Sequence, residues 1–281
     1  MAERLDGRRA IVVGGGSGLG LGCARLLAED GCRVTIAGRT GTKLKDAAAL
    51  LRADGLLVDF TVCDALDGAA VKAAVAVASD TDGALDIAVV VPGAGAVSPV
   101  LLFDDEEFSR QVDGNVRPVF LFLKYAGQAM VRRGSGSFVA ISSTAAAFSA
   151  RYLASYSAGK AAVDQLVRVA ANELGHLGIR VNSVRPGMTE TPATAATFAD
   201  DRLLSAFVEG QPIGRPGAVT DVAAAVRFLA GPESSWITGQ QLAVDGGHTL
   251  RSFVDYAELL PLPDTRAVVL GRTTEGGTDG R

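Results

Sequence analysis

Seven short apolar segments alternate with longer, alanine-rich segments along this chain, and this alternation restricts the fold more than any other feature. Some of the short segments, such as Ile87–Val91, are apolar at every position. Such runs are typical of strands that helices cover on both faces of a parallel sheet. The pattern therefore predicts an α/β fold, a single Rossmann-like doubly wound domain with a seven-stranded parallel sheet and helices on both faces. The predicted strands are Arg9–Val13, Arg33–Ala37, Leu56–Val62, Ile87–Val91, Ser137–Ile141, Arg180–Val184 and Gln241–Val244, and the predicted helices are Gly18–Asp30, Lys43–Asp54, Gly68–Ser79, Glu106–Arg133, Ser155–Gly175 and Ala218–Ala230.

No internal boundary divides this pattern, so we expect one domain over residues 1–250. The segment 187–215 is the only long interruption of the alternation, and we expect it to form a lid over a site. Residues 251–281 form an extension beyond the last predicted strand. Within it, Leu259–Pro263 resembles a packing arm, whereas 272–281 is rich in Gly and Thr and is expected to be disordered. The extension either reaches a neighbouring subunit or covers the site.

Composition excludes several classes of partner. The 281 residues carry a net charge of −4 with scattered basic side chains, so neither nucleic acid nor an anionic membrane is expected to bind. Neither a signal peptide nor a run long enough to span a membrane is present in the sequence. Three cysteines without metal-ligand spacing predict buried, reduced thiols and no metal site. We therefore expect a cytoplasmic protein that acts on small molecules.

A glycine-rich loop connects the first predicted strand to the first predicted helix. Glycines let the backbone turn tightly and approach a pyrophosphate, while the helix N-terminus offers N–H groups and a positive dipole end. A tight turn without a ligand is the alternative interpretation. We predict that the dinucleotide contacts Gly14, Gly16, Ser17, Gly18, Leu19 and Gly20.

The end of the second strand indicates which dinucleotide fits. An acidic residue there would bind the ribose hydroxyls of NAD, but the chain has Gly38 followed by Arg39. An arginine can pair with a 2′-phosphate through two hydrogen bonds, so NADP(H) is favoured, with NAD(H) as the alternative. Asp64, after the third strand, is predicted either to bind the adenine amino group or to cap the next helix.

Tyr156 and Lys160 are four residues apart in a segment that predicts a helix. Residues with this spacing lie on one helical face, one turn apart. A nearby ammonium favours the phenolate, so we expect it to lower the pKa of Tyr156 and make this residue a proton donor and acceptor. The pair alone is weak, because the same spacing occurs on many helices by chance.

The glycine loop, Asn115, Ser143, Tyr156 and Lys160 together resemble the short-chain dehydrogenase/reductase family in their order and spacing. The resemblance extends over roughly residues 5–248. Further matching signatures are Arg180-Val181-Asn182, Pro186-Gly187, Gly214-Arg215-Pro216, Trp236-Ile237-Thr238-Gly239 and Val244-Asp245-Gly246-Gly247.

The resemblance implies a role for each catalytic candidate. Tyr156 would be the general acid/base, and Lys160 would bind the nicotinamide ribose and lower the tyrosine pKa. Ser143 would orient and polarise the substrate oxygen, with Ser142 as the competitor if the loop is shifted by one residue. Asn115 would hold a water of the proton relay. The resemblance also assigns cofactor contacts to Gly93, Pro186, Gly187, Thr189 and Thr191.

The chain departs from the family pattern at three places. Val13 replaces the usual threonine before the glycine loop, and Pro92–Gly95 replaces Asn-Asn-Ala-Gly. Removing both partners of a buried hydrogen bond can be nearly neutral, so we interpret these two changes as a compensated apolar repacking. Gly159 replaces the serine that commonly precedes the lysine, and we expect it to make room for the cofactor or for a neighbouring helix.

The expected substrate is a lipophilic secondary alcohol or its ketone, because the residues predicted to surround the site are apolar. They are Val97, Phe148, Leu153, Met188 and Phe207, of which Phe148 and Met188, with Ser143, are our predicted substrate contacts.

Three alternatives remain. A 3-oxoacyl thioester on an acyl carrier is one, with Arg132, Arg133 and Arg168 as its basic patch. The second is a nucleotide-sensing module without turnover. A non-redox dehalogenase or dehydratase is the third, and the intact glycine loop and Lys160 disfavour it. Family members usually form dimers or tetramers through the helices that match Glu106–Arg133 and Ser155–Gly175, so a homo-oligomer is expected.

Overall fold

A single parallel sheet organises the computed structural model, which describes residues 4–91, 93, 95–251 and 256–271. Its strands are β1 (Arg9–Val13), β2 (Arg33–Gly38), β3 (Val58–Val62), β4 (Ile87–Val90), β5 (Gly136–Ile141), β6 (Ile179–Pro186) and β7 (Gln241–Val244). They lie in the order β3-β2-β1-β4-β5-β6-β7, and each pairs with its neighbours in parallel. The predicted fold class is confirmed.

Helices cover both faces of the sheet. They are α1 (Gly18–Glu29), α2 (Gly41–Ala53), α3 (Gly68–Ala78), α4 (Asp105–Arg133), α5 (Ala154–Leu174), α6 (Ala195–Phe198), α7 (Asp201–Glu209), α8 (Val219–Ala230), α9 (Tyr256–Leu259) and α10 (Thr265–Val269). One apolar core joins the sheet to α3, α4 and α5, and the other joins it to α1, α2 and α8. Within the described ranges, none of the helices has the length and apolar character that a membrane span requires.

The predicted strands and helices agree with the observed ones to within two residues at every end. Segment 187–215 contains α6 and α7, so the interruption of the pattern is a pair of short helices. Its function as a lid remains a prediction. The extension contains α9 and α10, while the tail 272–281, for which we predict disorder, lies outside the described residues.

The Asn182 and Thr238 side chains fix the edge strand β7. Asn182 Nδ2 donates to the Ile237 carbonyl at 2.9 Å, and its Oδ1 accepts the Gln240 N–H at 3.0 Å. Thr238 Oγ1 accepts the Val181 N–H at 3.1 Å. Two of the family signatures therefore bind each other and hold the end of the sheet together.

The strand order reverses between β1 and β4, and this reversal determines where a site can form. In open α/β sheets, ligands bind in the crevice outside the carboxyl ends of the strands at such a point. The glycine loop follows β1, Gly93 follows β4, and Ser143 follows β5. The topology thus directs all three segments to one edge of the sheet.

Candidate active site

Ser143 and Tyr156 meet at this edge. Ser143 lies just beyond β5, Tyr156 lies in the first turn of α5, and a hydrogen bond joins their side chains. Ser142, by contrast, is buried, and its hydroxyl donates to the Lys160 carbonyl at 3.3 Å. The structure therefore pairs Ser143, not its competitor Ser142, with the tyrosine.

Burial raises the pKa of Tyr156, and the hydrogen bond from Ser143 lowers it by less. The expected lowering of this pKa by the lysine is wrong for the protein in this structure. Removal of the phenol from water penalises the phenolate, and that penalty outweighs the favourable contacts. Tyr156 is therefore a neutral phenol at neutral pH, which is the form that donates a proton.

Lys160 is buried one turn further along α5, with 2% of its surface exposed. Its Nζ donates to the Ile141 carbonyl, at the end of β5, at 3.0 Å and lies 5.5 Å from the centre of the Tyr156 ring. Burial lowers the pKa of Lys160 to about 7, although the nearby Asp164 carboxylate opposes this change. The lysine is thus fixed beside the tyrosine but is only partly charged near neutral pH.

Sequence reasoning missed a buried network that lies one turn beyond Lys160. Asp164 is 1% exposed, and it accepts hydrogen bonds from Ser183 Oγ at 2.7 Å and Arg185 Nε at 2.7 Å. Both partners lie on β6. The spacing from Lys160 to Asp164 was a possible signal, because residues four apart share a helix face. The network fastens α5 to β6 and supplies the negative charge nearest to Lys160 on its own helix.

We expect Lys160 to make the stability of the protein depend on pH. Its pKa is lower in the folded protein than in the unfolded chain, so the unfolded chain binds more protons between about pH 7 and the ordinary lysine pKa of about 10.4. The free energy of unfolding should therefore rise with pH, by up to about 1.4 kcal/mol per pH unit. Chemical denaturation from pH 7 to 9 measures the free energy of unfolding of the wild type and of Lys160→Met at each pH.

The wild-type curve should rise relative to that of Lys160→Met, and parallel curves would contradict the expectation. The comparison stops at pH 9 because burial also raises the pKa values of Cys23, Cys32 and Cys63. A raised cysteine pKa removes stability at higher pH in both proteins.

Asn115 of α4 lies between two glycine backbones. A Cβ placed on Gly93 would lie 1.8 Å from Asn115 Oδ1, and one placed on Gly159 would lie 2.9 Å from Asn115 Cβ. Asn115 Nδ2 donates to the Gln111 carbonyl at 2.8 Å. Of the two expectations for Gly159, the structure supports room for a neighbouring helix. The role of Asn115 in a water relay remains a prediction.

Gln111, one turn before Asn115, is a second residue that sequence reasoning missed. Its Oε1 accepts the Ala96 N–H at 2.9 Å and the Ser155 hydroxyl at 2.6 Å. Ser155 immediately precedes Tyr156, so Gln111 joins the segment after β4 to the start of α5. Gln111 is 8% exposed. The sequence shows only that an amide residue lies within a predicted helix, and it does not show that this amide is buried.

The glycine loop leaves room for a phosphate group. Gly14 has φ +78°, a left-handed conformation that favours glycine, and Gly20 packs on it so closely that a Cβ on Gly20 would lie 2.2 Å from the Gly14 carbonyl oxygen. Ser17 is the N-cap of α1, is exposed and makes no capping hydrogen bond with its side chain. These features fit the diphosphate of a dinucleotide, which would be held by the backbone of Gly16–Gly20 and the Ser17 hydroxyl.

Arg39 follows β2 and Asp64 follows β3, so both lie at the carboxyl edge of the sheet, and both side chains are exposed. Among the described residues, the structure gives the Arg39 side chain neither a hydrogen bond nor an ion pair. Asp64 Oδ1 accepts the Leu66 N–H at 3.0 Å, whereas Asp67 caps α3 through the N–H groups of its first turn. The expectation that Asp64 caps the helix is therefore wrong, because the cap is three residues further along the chain.

The segment after β6 approaches the glycine loop. A Cβ placed on Gly18 would lie 3.4 Å from Thr191 Cβ. Pro186 ends β6, Gly187 donates its N–H to the Val244 carbonyl at 3.0 Å, and Thr189 Oγ1 donates to the Gly187 carbonyl at 3.0 Å. Of the predicted cofactor contacts on this segment, Thr191 thus lies next to the glycine loop.

The predicted substrate contacts lie in two places. Phe148 packs against His248, with ring centres 5.2 Å apart, and His248 in turn contacts Phe207 at 6.1 Å. Met188 instead lines a cavity of about 560 Å³ with residues of β7 and the start of α8. The described contacts do not bring Met188 together with Phe148, so its role as a substrate contact remains a prediction.

The structure describes one side of the proposed apolar repacking, Val13. Val13 is buried in the apolar core shared with α3 and α4, as the repacking hypothesis requires. Pro92 and Ala94, its expected counterparts, lie outside the described residues. The repacking hypothesis therefore remains a prediction.

The three arginines proposed for an acyl carrier all have partners. Arg133 pairs with Asp80 at 2.6 Å and Asp86 at 3.2 Å, near the amino end of β4. Arg132 donates to the Gly83 carbonyl at 2.9 Å, and Arg168 binds Gln165 and Gln241. Since α4 ends at the edge of the sheet opposite the crevice, Arg132 and Arg133 do not border the candidate site.

Comparison with known proteins identifies the family. A model of the family described as Enoyl-(Acyl carrier protein) reductase matches residues 14–249. The cis-4-hydroxycyclohexanecarboxylate dehydrogenase of Sinomonas cyclohexanicum is 38% identical over 250 residues, covering 89% of this chain and 99% of the relative. A short-chain type dehydrogenase/reductase from Mycobacterium ulcerans has a TM-score of 0.89 and 37% identity over 96% of this chain and 97% of its own. A variant of actinorhodin polyketide ketoreductase with NADPH has a TM-score of 0.81 and 31% identity over 86% and 97%.

The chain belongs to the short-chain dehydrogenase/reductase family. It is accordingly an oxidoreductase that acts on CH–OH groups with a nicotinamide nucleotide, NAD(P).

Proposed function

We propose that this protein interconverts a lipophilic secondary alcohol and its ketone, with Tyr156 as the general acid/base. The hydrogen bond between Ser143 and Tyr156 supports this proposal most strongly. Two hydroxyls that converge at the carboxyl edge of the sheet can both donate to one substrate oxygen, and such donors stabilise a developing alkoxide. When bound, the nicotinamide supplies the hydride in reduction and accepts it in oxidation.

The protonation state of Tyr156 suits the reductive direction. Burial raises the pKa of this phenol, so the proton needed by the ketone oxygen is present at neutral pH. Lys160, buried beside it, is suited to hold the nicotinamide ribose and to return the proton to Tyr156 by way of a water that Asn115 would hold. Phe148, His248 and Phe207 form an aromatic wall, which favours a hydrocarbon ring or chain.

Calorimetric titration with NADPH and NADH, followed by a panel of ketones monitored through nicotinamide absorbance, tests the proposed function. Nucleotide binding with turnover of lipophilic ketones is the expected result. Tight binding without turnover across a broad panel would instead support the nucleotide-sensing module. Preferred turnover of acyl-carrier thioesters would support a 3-oxoacyl reductase, for which the paired arginines at the far edge of the sheet offer no support.

We propose NADP(H) rather than NAD(H) as the cofactor, because Arg39 offers an exposed guanidinium where a 2′-phosphate would lie. Arg39→Gln should weaken NADPH binding by roughly 10–100-fold, the usual cost of a lost charge-assisted pair, and change NADH binding by less than about threefold. Calorimetric titration with each nucleotide measures the ratio of the NADPH and NADH affinities in the wild type and in the variant. Arg33→Gln is the matched control, since Arg33 is also exposed but begins β2 at the opposite edge. Equal losses for both nucleotides would contradict the assignment.

We further propose a cytoplasmic homo-oligomer. The three cysteines are buried and free, as expected for a reducing compartment. Phe120 on α4 and Val169 on α5 are 50% and 44% exposed, and apolar side chains so exposed favour association. A monomeric mass by sedimentation would contradict the assembly.

A further inference from the structure

The side chain of Gln111, on α4, is held by hydrogen bonds at both ends of its amide. Its Oε1 accepts the Ala96 N–H at 2.9 Å and the Ser155 hydroxyl at 2.6 Å, and its Nε2 donates to Glu107 Oε1. An amide oxygen has two acceptor positions, so both are in use. The bond to Glu107 fixes which end of the amide faces Ala96 and Ser155. The conformation of this buried side chain is therefore determined by its partners.

The two segments that Gln111 joins also bind each other. Ser98 donates its N–H to the Tyr152 carbonyl at 2.8 Å and forms a parallel β-bridge with Leu153. Tyr152 has φ +66°, a left-handed conformation that is unfavourable for a residue with a side chain. The chain adopts this conformation just before α5, where it runs beside the segment that follows β4. The start of α5 is thus shaped by that segment as well as by the helix itself.

Gly95 extends this contact to Tyr156. A Cβ placed on Gly95 would lie 2.7 Å from Tyr156 Cβ and 2.8 Å from Tyr156 Cγ, so the Gly95 backbone packs directly against the tyrosine. Gln111 binds the residue after Gly95 and the residue before Tyr156, and its amide oxygen therefore holds the two backbones together. Because Tyr156 lies in the first turn of α5, a displacement of either backbone moves its phenol relative to Ser143.

We propose that Gln111 is a positioning residue for the reaction, whose amide oxygen holds Tyr156 at the distance from the substrate oxygen that proton transfer requires. This inference rests on the proposed function, in which Tyr156 is the general acid/base. It goes further, because it assigns the accurate placement of the phenol to a side chain on α4 that acts through Ser155. A misplacement of about 1 Å can lower a rate roughly 100-fold. Loss of the amide should therefore slow the chemical step and leave the binding of substrate and nucleotide nearly unchanged.

Two substitutions and their combination test the inference. Gln111→Leu replaces the amide with an apolar side chain of similar size, and Ser155→Ala removes only a hydroxyl. Each should lower kcat for a lipophilic ketone by about 10- to 100-fold and change KM and the NADPH affinity by less than about threefold. The double variant should be no slower than the slower single variant, because Gln111→Leu already removes the bond that Ser155→Ala removes. Gln128→Leu, the same substitution at an exposed position of α4, is the matched control and should keep the wild-type kcat.

The pattern of losses distinguishes positioning from a contribution to stability alone. Losses of kcat that multiply in the double variant and follow the fall in melting temperature would show that Gln111 only supports the fold. A wild-type kcat in Gln111→Leu, or a change confined to KM, would also overturn the inference. Retained turnover in Tyr156→Phe would contradict the proposed function itself, whereas retained turnover in Gln111→Leu alone would contradict only this inference.

A measurement that needs no turnover covers the case in which the wild type reduces no lipophilic ketone, which would contradict the proposed substrate class. The chain has four tyrosines, and NMR with carbon-13-labelled tyrosine rings follows them, with Tyr156 assigned by its loss in Tyr156→Phe. A shifted Tyr156 resonance in both Gln111→Leu and Ser155→Ala supports the positioning role, provided that the resonance of Tyr125, which lies on α4 against the start of α3, is unchanged. A Tyr156 resonance at its wild-type position, or equal shifts of both tyrosines, would overturn it.

Discussion

Tyr156→Phe is expected to lower kcat by about 10²–10⁴-fold, the range that a positioned general acid contributes. The phenylalanine keeps the ring beside Gly95, where a Cβ on that glycine would lie 2.7 Å from Tyr156 Cβ, so the packing should survive. Only the hydroxyl that bonds Ser143 is lost. Steady-state kinetics with NADPH and a reducible ketone measures the loss, and calorimetry should give nearly unchanged nucleotide affinity.

Tyr125→Phe serves as the control, since Tyr125 lies on α4 against the start of α3, away from the candidate site, and its loss of a phenol should leave kcat as in the wild type. Retained turnover in Tyr156→Phe would refute the assignment of the acid/base. A parallel loss of nucleotide binding would instead show that Tyr156 is needed to bind the nucleotide, and its role as general acid/base would be unsupported.

Gly20→Ala is expected to destabilise the fold by at least about 3 kcal/mol, or about 6–12 °C in melting temperature for a domain of this size. The added Cβ would lie 2.2 Å from the carbonyl oxygen and 2.5 Å from the carbonyl carbon of Gly14. Both atoms belong to the backbone of the turn after β1, so they cannot move aside as the end of a side chain can. Thermal unfolding followed by circular dichroism measures the effect.

Gly16→Ala provides the matched control in the same loop. A Cβ at Gly16 would lie 3.6 Å from Leu44 Cδ2 and 3.6 Å from Lys43 Cβ, which is ordinary contact. This variant should melt close to the wild type, even if its nucleotide affinity falls. Equal melting temperatures for the two variants would show that the turn tolerates a side chain at Gly20.

The sequence predicted the framework of this site well because local signals determine it. Continuous apolar runs mark β1 and β4, Gly14 follows β1 directly, and the predicted ends lie within two residues of the observed ones. The crevice follows from strand order, which the alternation of strands and helices nearly dictates. Ser143 and Tyr156 come together because one ends a strand and the other begins the following helix.

Electrostatics at the site were predicted less well, because spacing does not report burial. The four-residue interval predicts that Lys160 lowers the pKa of Tyr156, but desolvation of the phenol raises that pKa instead. Asp67, not Asp64, caps α3, since the exact start of a helix decides which carboxylate can reach its free N–H groups.

Gln111 was beyond sequence reasoning for a different reason. Its amide oxygen binds the Ala96 N–H and the Ser155 hydroxyl, and this reach depends on the rotation of α4 about its own axis, which no local preference specifies.

The position of Asn115 between Gly93 and Gly159 makes its amide a spacer. The width of that one side chain sets the separation between the segment after β4 and the helix that carries both Tyr156 and Lys160. Any substitution of Asn115 changes this separation together with the hydrogen-bonding chemistry. A loss of turnover in such a variant would therefore report a displaced helix as readily as an interrupted water chain, and only a crystal structure of the variant would separate the two causes.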